Sequence, residues 1–386
     1  MATGLKPEIR TVETRRDLKL FLRLPRLIYA GMAGFSPRLD FEQAEILDPK
    51  RGPFFRHGRA RYFLAVRDGV AVGRISAQID DLGRPGEGLF GCLDAIDDFA
   101  VVEALLTAAE GWLAGEGARL ARGPFMLSIN GESGLLLEGQ MTPAMVMMGW
   151  SPAYLADHLE RAGYQLGKRL LTYRMALEAD TDNAHAASLR GRLVTGRNRV
   201  RGLDMANLAR EAEIFATLFN DAWAGNWGFA PITQAEIAKM LTSMRLMLHR
   251  DFGVVFETDG KPIGFALALP NLAEIVHEFN GRLLPFNWLK LGRWALGRKC
   301  RSVRIILMGV AGAVRSSVLG AAVPIVLIDE LIQRSKGDGW QVDEIEMGWV
   351  LEDNLQVRAL IEKVGGNVDK TYGIFDKELA APTGGR

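Results

Sequence analysis

Two stretches of mixed apolar and polar residues break at the same dipeptide. FLAVRDGVAVGRISA (63–77) turns at Asp68-Gly69, and VVFETDGKPIGFALA (254–268) turns at Asp259-Gly260. β-rich runs flanking Asp-Gly predict hairpins, because a two-residue turn of this kind needs positive φ at both central positions. Each hairpin has a glycine at the same place in its second strand, Gly73 and Gly264. Further along, YLADHLERAGYQLGKRLLTYRM (154–175) predicts an amphipathic helix stopped at Gly163 and a strand ending in Thr172-Tyr173. VRALIEKVGGNVDKTYGIF (357–375) repeats that design with Glu362, Gly365 and Thr371-Tyr372. Between these marks each half places a helix, over 101–117 and over 324–339, followed by a β-like segment, ARGPFMLSIN or DEIEMGWVL.

The two hairpins lie 191 residues apart, and the helix glutamates Glu160 and Glu362 lie 202 apart. Order is kept, and the second copy gains its extra residues between the two marks. An internal repeat of this length predicts a duplicated unit. Each copy reads hairpin, strand, helix, strand, helix, strand. The fold class is therefore α/β in the α+β sense: two lobes, each a mixed β-sheet flanked by helices. The lobes are expected over 1–178 and 179–386. A length of 386 residues suits two domains.

One apolar run, 305–328, is long enough to cross a bilayer and carries a single charge, Arg315. Gly309, Gly312, Gly320, the Ser316-Ser317 pair and Pro324 interrupt it. A central arginine would cost about 2.5–3.5 kcal/mol on insertion scales. The run also passes directly into the amphipathic IDELIQR, so a strand, a turn and a helix fit it better than a membrane span. The N-terminal MATGLKPEIRTVETRRDLKLF lacks an apolar h-region, which predicts no signal peptide. Lys plus Arg total 47 and Asp plus Glu 46, so bulk charge does not point to nucleic acid. Cys92 and Cys300 form neither a metal-ligand spacing nor a disulfide framework, and no histidine has metal-ligand spacing. A cytoplasmic setting and no metal are expected.

The chemistry concentrates in the second copy. The strand RIILMGV (304–310) runs into VAGAVRSSVLG (310–320) and then a helix. A strand–loop–helix junction aims free backbone N–H groups and the positive helix end at one point, which suits a phosphate. Arg315 adds charge, Ser316 and Ser317 add hydroxyls, and Gly320 lets the chain turn closely. The first copy has FGCLDAIDDFAVVEALL there, and Asp94, Asp97 and Asp98 would repel an anion. Only the second lobe is expected to bind one.

With these elements, this loop and the ending WVLEDNLQVRALIEKVGGNVDKTY, the chain resembles the GNAT acyltransferase superfamily. Members hold the pyrophosphate of acyl-CoA in a loop of pattern Arg/Gln-x-x-Gly-x-Gly/Ala. Arg315 and Gly320 match its ends, and Val318 replaces its middle glycine. The resemblance narrows to the two-lobed YghO-like branch, which includes the bacterial ceramide synthases. It is carried by LRLPRLIY, PFFRHGRARYFLAVRDG, GPFMLSINGESGLLLEG and FNDAWAGNWGF as well as the C-terminal motifs.

That resemblance implies an acyl-CoA-dependent N-acyltransferase moving a fatty acyl chain to an amine, a sphingoid base. Acyl-CoA as co-substrate would be held by Met308, Val310, Arg315, Ser316, Ser317, Val318, Leu319, Gly320 and Asn354, the last opening the next helix. The tyrosine that often serves as general acid within that helix is absent, Leu360 and Ile361 standing there. Aminolysis needs a base for the amine and a proton for the departing thiolate. Glu346 and Glu352 are the candidate bases, Tyr372 the candidate acid, and Asn130, Glu132, Asn220, Asn226, Trp227 and Trp288 candidate acceptor contacts. The segment 280–304 interleaves Phe286, Trp288 and Trp294 with Lys290, Arg293, Arg298, Lys299 and Arg301, as a peripheral membrane contact at the inner face of the cytoplasmic membrane would. Two rival readings stand beside this one: a non-catalytic GNAT pair that binds acyl-CoA or lipid, and an N-acetyltransferase of a small soluble amine.

Overall fold

The computed structural model of the protein describes residues 6–177, 184–245, 247–337 and 339–380. The chain divides into two compact units. Unit 1 comprises residues up to 171 together with 275–287 and the chain from 370 onward; unit 2 comprises 172–274 and 288–369. The lobe boundary expected between residues 178 and 179 lies outside the described residues.

In unit 1, β1 (Glu8–Thr11), β2 (Gly58–Arg67), β3 (Val70–Asp80) and β4 (Glu87–Ala95) pair antiparallel in that order. β5 (Leu120–Gly123) then adds parallel to β4. Along β2, Tyr62, Leu64 and Val66 join one core cluster, and Phe63 and Ala65 join another. Both faces are thus buried, which the two-residue period of a strand requires if helices cover both sides. α1 (Arg15–Ile28) and α2 (Asp40–Ile46) lie on the first face; α3 (Phe99–Gly115) and α4 (Tyr154–Arg161) pack on the second. β6 (Leu135–Glu138) and β7 (Gln165–Ala176) complete this half of the sequence.

In unit 2, α5 (Ala184–Leu193) precedes β8 (Asn198–Gly202), and α6 (Leu208–Trp223) and α7 (Gln234–Ser243) follow it. β9 (Gly253–Thr258) and β10 (Lys261–Pro270) form the second hairpin. After α8 (Ala273–Val276) and α9 (Asn287–Leu296), the chain enters β11 (Ser302–Val310), the single turn α10 (Gly312–Arg315) and α11 (Val318–Lys336). β12 (Glu344–Leu351), α12 (Leu355–Lys363) and β13 (Asn367–Glu378) close the sequence. β8 to β11 pair antiparallel in order, and β12 joins β11 in parallel. Within unit 1, the later part of β13 pairs antiparallel with β5 and β6.

The predicted strand, turn and helix replace the apolar run 305–328, and among the described residues no helix is long and apolar enough to cross a membrane. Both Asp-Gly turns form as expected: φ is +51° and +77° at Asp68 and Gly69, and +51° and +74° at Asp259 and Gly260. The repeat extends into packing. A Cβ at Gly73 would meet Leu105 of α3 at 2.8 Å, and one at Gly264 would meet Val323 of α11 at 2.6 Å. Each unit therefore lays its long helix directly on the hairpin's second strand. The next hydrogen bonds match too: Ile96 N–H donates to Val72 O (3.0 Å), and Ala311 N–H to Ile263 O (2.9 Å).

Candidate functional site

Those two matched bonds align the exits of β4 and β11 and expose the difference between the copies. In unit 1 only residues 96 and 97 separate the end of β4 from Asp98, the N-cap of α3. In unit 2, residues 311–316 separate the end of β11 from Ser317, the N-cap of α11. The second copy has a loop where the first has almost none.

Two hydrogen bonds tie the loop to the end of α6, and a third ties the strand that leads into it. Gly312 N–H donates to the Asp221 carboxylate (2.6 Å), Arg315 Nη1 donates to Ala222 O (2.8 Å), and Trp223 Nε1 donates to Met308 O (3.0 Å). Ser317 Oγ donates to Val314 O (2.6 Å) and accepts from Gly320 N–H (3.1 Å), starting the helix. Gly320 is buried under the preceding turn, where a Cβ would stand 2.0 Å from Val314 O. No other residue fits there without moving the loop. The amides of Val318 and Leu319 precede the helix's own i→i−4 bonds, so they and the helix dipole form an anion-ready end. Val318 is 88% exposed, so the side chain at the middle-glycine position stands in solvent.

The three acids of the first copy are all paired. Asp94 accepts from Arg74 Nε (2.7 Å), Asp97 lies 2.8 Å from His158 Nε2, and Asp98 accepts from Arg67 Nη1 (2.8 Å). Asp98 also accepts from Ala100 N–H (2.9 Å) at the helix start. The Arg67 hydrogen bond, foremost, holds its carboxyl below the usual carboxylate range. In unit 1 the helix start is thus capped by a carboxylate that is itself paired, and only two residues separate it from the preceding strand.

Beside the loop, the parallel strands β11 and β12 pair only from Ser302↔Glu344 to Ile305↔Met347, although both continue. Beyond the last pair, Trp223, whose indole N–H is bonded to Met308 O, packs edge-on against Trp349 at 5.7 Å. Arg304 and Glu346 face each other where the strands are still paired, Nε to carboxylate oxygen 2.9 Å, and both are buried. Glu352 lies half-buried just past the C-terminal end of β12, and its carbonyl accepts from Arg358 Nη1 (2.8 Å). Asn354 opens α12 as expected, its side chain accepting from Val357 N–H (3.3 Å).

The other expected residues fall as follows. Val310 is buried and pairs with Gly264, and Ser316 is exposed in the loop. Asn220 is engaged at both ends of its amide by the backbone of Ile232 (2.9 Å each), closing the loop that contains half-buried Asn226 and Trp227. Trp288 is exposed on α9. Tyr372, Asn130 and Glu132 belong to unit 1. Tyr372 is fully buried against Gly134, and Glu132 forms an ion pair with Arg38. Asp221, Ala222 and Trp223 lie within the FNDAWAGNWGF motif, but nothing local in the sequence marks them as partners of the loop and the strand before it. Among the described residues no group of three or more His, Cys, Asp or Glu could hold a metal ion.

The fold, a repeated unit of mixed β-sheet flanked by helices, is that of a tandem GNAT protein. A tandem GNAT protein from the clavulanic acid biosynthesis pathway superposes with a TM-score of 0.58 at 12% identity, covering 97% of this chain and 99% of that one. A GCN5-related N-acetyltransferase from Sphaerobacter thermophilus gives 0.52 at 14% identity, covering 97% and 96%. No family profile matches the chain. It is, however, 38% identical over 374 residues to the bacterial ceramide synthase of Caulobacter vibrioides, covering 95% of this chain and 96% of the relative. It is 36% identical over 378 residues to the protein YghO of Escherichia coli K12, covering 96% and 95%. The chain belongs to the family of these two proteins, and it is an acyltransferase.

Proposed function

We propose that the protein transfers a fatty acyl group from acyl-CoA to the nitrogen of a lipophilic amine, a sphingoid base. The observation that carries this reading is the second-copy loop, with its glycine-only turn and its helix start, which the first copy lacks. The relative named a ceramide synthase supports the acceptor. Arg315, the Ser316 and Ser317 hydroxyls and the amides of Val318 and Leu319 would hold the pyrophosphate, with Gly320 allowing the close turn. Met308, Val310 and Asn354 would border the rest of the CoA arm. On this reading 1–178 is a lobe without a CoA site and 179–386 is the lobe that has one.

In the reaction the amine nitrogen bonds to the thioester carbonyl carbon, and the carbon–sulfur bond then breaks. The amine loses one proton and the thiolate gains one, giving an amide and free CoA. Glu352, at the C-terminal end of β12 and partly open to solvent, supports the role of base. Glu346, buried against Arg304, supports a positioning role that sets the two parallel strands. Asn226 and Trp227 are the acceptor contacts that unit 2 best supports, with Asn220 shaping their loop.

Incubation with acyl-CoA of increasing chain length and a panel of amines, followed by mass spectrometry, tests the reading. N-acyl product with equal release of CoA supports it. Turnover with acetyl-CoA and small amines alone removes the lipid acceptor, and binding without turnover leaves a non-catalytic GNAT pair.

A further inference from the structure

Three large apolar side chains stand exposed within nine residues of unit 2: Trp288 51%, Leu289 47% and Leu296 87%. Single exposed leucines are ordinary, but a cluster this dense is not. On α9, Leu291 is the side chain turned to the core, while Trp288, Leu289 and Leu296 face outward. The same stretch is strongly basic. No Asp or Glu occurs between Glu278 and Asp329, whereas Arg282, Lys290, Arg293, Arg298, Lys299 and Arg301 fall within 282–301. Arg301 pairs with Asp343 (2.8 Å), and Arg298 lies over the Trp340 ring (5.7 Å). Lys290, Arg293 and Lys299 are exposed with the apolar residues.

We infer that this segment is a docking surface for an anionic lipid bilayer, with Trp288, Leu289 and Leu296 entering the interface and Lys290, Arg293 and Lys299 meeting headgroup phosphates. Charge selects this occupant. Protein interfaces are depleted in lysine at their cores, whereas aromatic and aliphatic side chains beside lysine and arginine match the apolar depth and negative surface of a membrane. No described helix spans a bilayer, so the contact is peripheral. The inference rests on the lipophilic-acceptor reading only for its purpose, which is delivery of a membrane-resident amine. Vesicle binding is measured without acyl-CoA or amine, so either idea can fail alone.

The test is flotation of the full chain with phosphatidylcholine vesicles and with vesicles containing about one-third phosphatidylglycerol. The wild type should bind the anionic vesicles at least about tenfold more tightly, and added salt should erase the difference. Leu289→Ser with Leu296→Ser should weaken binding at least about tenfold. Lys290→Gln with Arg293→Gln should remove most of the anionic preference. Val70→Ser, at an exposed apolar residue of the first hairpin, should bind as the wild type does. Equal binding to both vesicle types, or no loss in the leucine variant, would overturn the proposal. So would a dimer that Leu296→Ser dissolves in a protein that floats with neither vesicle.

Discussion

Arg304 and Glu346 lie directly opposite each other on parallel neighbouring strands, Nε 2.9 Å from a carboxylate oxygen, with both side chains buried. The pair sits at the last paired stretch of β11 and β12, immediately before the strands stop pairing. Removing one charge leaves the other desolvated, so Glu346→Gln should cost about 3–5 kcal/mol of stability. Arg304→Met combined with Glu346→Leu should cost less than Glu346→Gln alone. Urea unfolding of both variants checks the order. Equal or reversed losses would show that the pair does not hold the strands through its charge.

Arg315 donates to Ala222 O and is otherwise exposed beside the helix start. A charged hydrogen bond to pyrophosphate is worth roughly 1.5–3 kcal/mol. Arg315→Ala should therefore weaken acyl-CoA binding by about ten- to a hundredfold in calorimetry, while the fold remains intact by circular dichroism.

Val318 occupies the middle-glycine position, yet its side chain points into solvent. Val318→Gly should leave acyl-CoA affinity within about threefold and cost at most about 1 kcal/mol of stability, through helix propensity. A large gain in affinity would mean that the valine does restrict the loop.

Asp98 caps α3 and pairs with Arg67, and its carboxyl is held below the usual range. A lowered folded value means that the unfolded chain binds the proton more readily, so the contribution is complete above pH about 4 and lost as pH falls through the folded value. Melting Asp98→Asn and wild type across acidic pH should show a stability gap that closes on acidification. A gap that widens would contradict the pairing.

The duplicated frame was legible because its signals are local. Asp-Gly turns, Gly73 and Gly264 under their helices, and the glycine stops after α4 and α12 are written in neighbouring residues. Boundaries were less so: α11 begins at Val318, earlier than the apolar spacing indicated, because Ser317 caps it. In the sequence Asp94, Asp97 and Asp98 stand as a bare acidic cluster, and the structure gives each a basic partner distant along the chain. Loop length, seen only once the strands are aligned, distinguishes the copies. The same holds for Asp221 and Trp223, which hold the loop and the strand before it from a helix about ninety residues upstream. Arg304 and Glu346 look like ordinary alternation until the strands are placed side by side.

The most direct measurement supplies a long-chain acyl-CoA labelled at its carbonyl carbon together with a sphingoid base, and follows label and free CoA by mass spectrometry. The account predicts label in an N-acyl amide, one CoA released per amide formed, and loss of both in Arg315→Ala at subsaturating acyl-CoA. Intact acyl-CoA with every amine offered, in a protein that is folded, would contradict it.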